Sequence, residues 1–150
     1  MKAVRAIARV ALVSALAAGC QTHAASCPDD PTVSSARASW TARHIADYRF
    51  VWQQSCFCAP DATQPVTVTV RHGEIVSATD RSGAAVSDEI RKNVMTIDAL
   101  YQHADAARCT AAEVRVVARD GVPTSVFIDP NRRAADEEFR VTISDFSTNP

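Results

Sequence analysis

Hydrophobic and polar residues follow two periods along this chain, and the switches between them mark its elements. Ala36, Trp40, His44 and Ile45 fall at helical spacing behind Ser34 or Ser35, either of which can cap a helix, so a helix ending near Asp47 is predicted. From Tyr48 to Cys58 the period becomes two: Tyr48, Phe50 and Trp52 share one face, with Cys56 and Cys58 in the same register, and Ala59-Pro60-Asp61 stops the run. Val66, Val68 and Val70 alternate with Thr67, Thr69 and Arg71. His72-Gly73-Glu74 then turns the chain into Ile75 to Ala78, a predicted hairpin.

A loop containing Ser82-Gly83 and Asp88-Glu89 follows. Ile97, Leu100 and Tyr101 then predict a second helix, capped by Thr96 and running towards Ala107. Val114, Val116 and Ala118 alternate again, Asp120-Gly121-Val122-Pro123 turns, and Thr124 to Asp129 and Phe139 to Phe146 complete the strands. The order helix, three strands, helix, three strands predicts an α+β domain with one antiparallel sheet of about six strands covered on one face. Val66 to Val70 before Gly73 echoes Val114 to Val117 before Gly121, which raises two αβββ halves as an ancestral arrangement.

The N-terminal pattern is of another kind. Lys2, Arg5 and Arg9 precede the apolar run Val10 to Leu16 and then small residues, the form of a secretory signal. That run is about half the roughly 20 residues that a membrane-spanning helix requires. Leu16-Ala17-Ala18-Gly19-Cys20 is similar to a bacterial lipobox, which predicts a signal peptide over 1–19 and acylation of Cys20. Gln21 after that cysteine, by its resemblance to enterobacterial lipoprotein sorting, implies the outer membrane, facing the periplasm. Residues 20–33, polar and broken by prolines, are expected to be a tether, leaving 34–150 as the domain.

Composition narrows the class further. With 150 residues, 47% hydrophobic and 22% charged, the chain has room for one cored domain and is neither collagen, coiled coil nor wholly disordered. Removing the leader takes three of 16 basic residues and none of 17 acidic ones, leaving a net charge near −4, unlike a nucleic-acid binder. The expected partners are the lipid bilayer, through acylated Cys20, and another envelope protein, with no cofactor.

Export implies an oxidising compartment, where Cys27, Cys56, Cys58 and Cys109 form an even set of disulfide candidates. Neighbours at i and i+2 of a regular strand lie about 6.6 Å apart, too far for a disulfide. Either each of Cys56 and Cys58 reaches a different partner, or the strand ends early and a bend lets them close on each other. A metal or redox role for the pair, with His72 or His103 assisting, is the chemical alternative. His23, His44, His72 and His103 lack ligand spacing and are expected to be surface residues. Asp129, Asp136, Glu137 and Glu138 gather carboxylates around one turn and form a candidate surface site, with a small hydrolase or a calcium loop as its chemical readings. Arg132 and Arg133, lying between them, favour a solvated loop with local ion pairs. No nucleophile elbow or Gly-rich phosphate loop is present, so no catalytic residue is assigned.

Trp40, Asp47-Tyr48-Arg49-Phe50, Cys56-Phe57-Cys58, Pro65 to Val68, Gly73, Ile97-Asp98, Gly121 to Thr124, Ile128-Asp129 and Asp136-Glu137-Glu138 occur in an order that resembles bacterial lipoproteins grouped as a domain of unknown function. The resemblance spans about residues 40 to 146. It implies a small secreted or lipid-anchored domain and carries over no activity. Its pattern keeps the Cys-x-Cys and not the other two cysteines, which favours the self-paired form and leaves Cys27 to Cys109.

Overall fold

The computed structural model describes residues 27, 30–134 and 136–150, so the expected signal peptide, Cys20, His23 and most of the expected tether lie outside the described residues. Helix α1 spans Pro31–Thr41, earlier than the sequence pattern predicts at both ends. Asp30, not Ser34 or Ser35, is the cap: its Oδ1 accepts from the Thr32 amide at 2.8 Å and from the Thr32 hydroxyl at 2.6 Å. These hydrogen bonds hold the Asp30 carboxyl below the usual carboxylate range. Pro31, which breaks the pattern in the sequence, sits in the first turn, where its fixed φ and missing N–H cost nothing. The helix closes after Thr41 with the His44 amide bonded to the Thr41 carbonyl, and His44 itself is left-handed at φ 51°. His44 and Ile45 therefore lie beyond it.

Strand β1, Tyr48–Ser55, buries Tyr48, Phe50 and Trp52. It ends before Cys56, and a short 3-10 turn over Pro60–Thr63 leads to β2, Val66–Arg71, and β3, Glu74–Thr79. His72 and Gly73, at φ 52° and 80°, give this hairpin the left-handed pair that matches strand twist. Asp47 braces it, since its Oδ1 accepts from the His72 amide at 2.7 Å. A four-residue helix α2, Asp88–Arg91, forms where a plain loop is expected, because Ser87 caps it by accepting from the Ile90 amide. Helix α3, Ile97–Ala107, carries its Thr96 cap and buries Ile97, Leu100, Tyr101 and Ala104. Strands β4, Glu113–Arg119, β5, Val122–Asp129, and β6, Phe139–Ser147, complete the chain.

All six strands form one antiparallel sheet in the order β3-β2-β1-β6-β5-β4. The two meanders therefore join through β1, the first strand of one, and β6, the last of the other. Helices α1 and α3 pack over β4 and β5, while the other half is covered by the segment between β3 and α3, from which Val86, Ile90 and Val94 join the core.

Trp40 anchors this layer, set edge-on to Tyr48 and Phe146, with its indole N–H donating to Asp98 Oδ1 at 3.1 Å. Buried phenols complete the polar contacts: Tyr48 Oη accepts from the Ile97 amide at 3.1 Å, and Tyr101 Oη donates to the Gly121 carbonyl at 2.8 Å. Burial raises both phenol pKa values to about 12. The opposite face of the sheet carries the outward residues of each strand; α1 and α3 lie over the other face, and at the β1 end Gln53 donates to the Thr63 carbonyl of the 3-10 turn at 3.2 Å. No helix among them is long and apolar enough to cross a membrane.

Candidate functional site

Two surfaces concentrate chemistry. The first begins where β1 stops. Cys56 and Cys58 are bonded to each other, their Cα atoms 5.2 Å apart, because the chain leaves the sheet at Ser55 and no longer holds the i, i+2 spacing of a strand. Phe57, between them, is 89% exposed, far above what a large apolar side chain needs merely to sit at a surface. Beside it lies a hollow of about 400 Å³, lined among others by Gln54, Asp61, Glu89, Asn93 and Asp136. The hollow thus brings Asp136 of the acidic run next to the cysteine loop, a proximity that sequence spacing does not reveal.

The other pair, Cys27 and Cys109, is also bonded, with Cα atoms 4.9 Å apart and a sequence separation of 82. It fastens the chain ahead of α1 to the end of α3, next to an ion-pair cluster in which Asp105 meets both Arg37 and Arg108. With Cys56 and Cys58 joined, neither is a thiolate ligand, and no group of three or more His, Cys, Asp or Glu among the described residues is arranged to hold a metal ion.

The second surface is the uncovered sheet face. Antiparallel register lines up Arg115, Phe127, Arg140 and Ser55 in one row across four strands. Val117, Ser125, Thr142 and Gln53 form the next, and Ser144, Val51, Thr67 and Thr79 the one after. The Arg140 guanidinium lies 4.5 Å from the Phe127 ring centroid and that of Arg115 lies 5.6 Å from it, so the ring is held between two cations. Arg115 is paired with Glu113, whereas Arg140 and Arg49 have no acidic partner among the described residues. The alternation of β5 and β6 marks these positions as outward. Which of them meet depends on register, which one sequence does not reveal.

Among the described residues the acidic turn is not assembled as a catalytic pair or a metal loop. Asp129 is buried and spends its Oδ1 on the Asn131 amide at 2.8 Å, closing a local turn. Asp136 lies at the hollow with φ 80°, and Glu137 and Glu138 point outward as exposed residues. Arg132 does not pair within the run; it reaches Glu113 on β4, with 3.7 Å between Nη2 and Oε2. His72 occupies its hairpin turn, and the His103 ring packs edge-on against Phe139 at 5.0 Å; neither lines the hollow beside the Cys56–Cys58 loop.

Together these features define a small α+β domain with two disulfides, an open hydroxyl- and arginine-bearing sheet face and an exposed Cys-Phe-Cys loop. The chain belongs to a family of unknown function, DUF6174, whose pattern matches residues 32–148. No curated protein and no solved structure matches it closely enough to count as a relative.

Proposed function

We propose that this protein is a lipid-anchored interaction module of the bacterial cell envelope, held by acylated Cys20 at the outer membrane on the periplasmic side, whose uncovered sheet face binds another envelope protein. The leader and lipobox-like sequence support the address, and the two bonded cysteine pairs suit an oxidising compartment. The observation that carries the binding role is the row Arg115, Phe127, Arg140. An aromatic ring held between cations in a field of Ser and Thr hydroxyls, on a mature chain of negative net charge, is complementary to an acidic, hydrogen-bonding surface. The acidic run, by contrast, is divided: Asp129 is spent on a local turn, and of the four only Asp136 lines the hollow.

The test is a photoreactive residue in place of Thr142, activated in intact cells, together with palmitate labelling. One reproducible envelope neighbour, weakened by Arg140→Glu, and label lost on Cys20→Ala are expected. Absence of any recurring neighbour would remove the binding role, and an unlabelled wild-type chain would remove the anchor.

A further inference from the structure

The two disulfides differ in what their opening releases. Cys27–Cys109 joins positions 82 residues apart that the folded chain brings together, so the folded state itself holds that bond closed. Cys56 and Cys58 flank a single residue on one segment beyond the end of β1, and cutting their bond frees no element of the fold. Access does not separate them, since Cys58 and Cys109 are both exposed. Coupling to the fold does: a bond that stabilises the native state little is stabilised little by it in return. Phe57 projects from the same loop, and the neighbouring hollow offers apolar as well as polar wall.

From this we infer that Cys56–Cys58 is a thiol–disulfide exchange site whose substrate is a dithiol in an exported polypeptide, engaged through an apolar side chain against Phe57. A substrate thiolate attacks the exposed Cys58 Sγ, forming an intermolecular disulfide and releasing Cys56 as a thiolate that takes up a proton. The second substrate thiol, losing its proton, then attacks the substrate's own sulfur in that bond and releases Cys58. The substrate loses two electrons and two protons and becomes a disulfide; Cys56 and Cys58 gain them and become thiols. This site stands independently of the anchor and of the sheet-face partner.

The experiment takes the oxidised, exported chain, equilibrates it in glutathione buffers, alkylates the free thiols and maps them by mass spectrometry. In parallel, the oxidised chain is mixed with a reduced peptide bearing two cysteines and a leucine. Label is expected on Cys56 and Cys58 under conditions that leave Cys27–Cys109 closed, with opening about tenfold faster or more. One peptide disulfide should form for each Cys56–Cys58 bond reduced. That yield should vanish in the Cys56→Ala/Cys58→Ala variant and form more slowly with Phe57→Ser. Both pairs opening together, or a peptide that stays reduced beside the wild-type chain, overturns the assignment.

Discussion

The two halves of the sheet are made from the same parts and supported in different ways. Each is a three-strand meander whose hairpin turns on a left-handed residue followed by glycine, His72-Gly73 in one and Asp120-Gly121 in the other. Over β4 and β5 lie two eleven-residue helices, fastened at their far end by Cys27–Cys109. Over the first half lie a four-residue helix and its loops, and the disulfide there joins a segment only to itself. The fold is thus secured mainly on one side, and the side with the lighter covering carries the exposed loop and the hollow. Local motifs recur; what distinguishes the halves is how much chain each tie connects.

The sharpest break of this comparison is Cys27→Ser with Cys109→Ser. A bridge across 82 residues restricts the unfolded chain enough to contribute about 4 to 5 kcal/mol, much of a small domain's net stability. Denaturant unfolding should show that loss. A change under about 1 kcal/mol would mean that the helical side is not the secured one.

Next come the paired glycines. A Cβ at Gly121 would lie 2.4 Å from the Trp40 backbone nitrogen, where α1 crosses the β4–β5 turn, whereas one at Gly73 meets nothing within 4 Å. Both residues have φ near 80°, so strain at a left-handed position is common to the two and overlap is not. Gly121→Ala should cost about 3 kcal/mol or more and Gly73→Ala about 1, read from thermal or denaturant midpoints. Equal costs would show that the α1 contact yields freely.

Alkaline titration tests whether both halves share one core, because Tyr48 belongs to β1 and Tyr101 to the helix above β4 and β5. The ordinary phenol pKa is 10.0, and burial raises both to about 12 in the folded chain. Folding therefore favours the neutral phenol. Its contribution is fully present below pH 10 and is lost as pH rises through about 12. Tyrosinate absorbance and loss of the far-ultraviolet dichroism should rise together in that window, and Tyr48→Phe with Tyr101→Phe should move unfolding to higher pH. Ionisation of both phenols well before unfolding would contradict their burial.

Much of this division was legible in the sequence, for identifiable reasons. Alternation at Tyr48, Phe50 and Trp52 and at Val66, Val68 and Val70 has no helical interpretation, so strand identity and the buried face followed. Thr96 before Ile97 marked α3 correctly because a side-chain cap acts within three residues. The start of α1 was hidden because Pro31 reads equally as breaker and as first-turn residue, and only the Asp30 side chain decides between them. The Asp136 contribution to the hollow and the Arg115, Phe127, Arg140 row arise from loop closure and strand register, which no local pattern encodes.

The smallest expected effects fall on the exposed loop. Removing the bridge with Cys56→Ala and Cys58→Ala should cost about 1.5 kcal/mol or less, since so short a loop restricts the unfolded chain little. Phe57→Ser should change stability by less than about 0.5 kcal/mol, because an 89% exposed ring buries almost nothing on folding. A large loss at either position would mean that the loop braces β1 and the turn over Pro60–Thr63, and the contrast between a securing tie and an accessible one would fail. If instead Phe57→Ser leaves the melting midpoint in place while slowing exchange with the leucine-bearing dithiol, the ring serves an encounter and not the fold. Equilibrium unfolding and exchange kinetics on the same preparation separate the two roles.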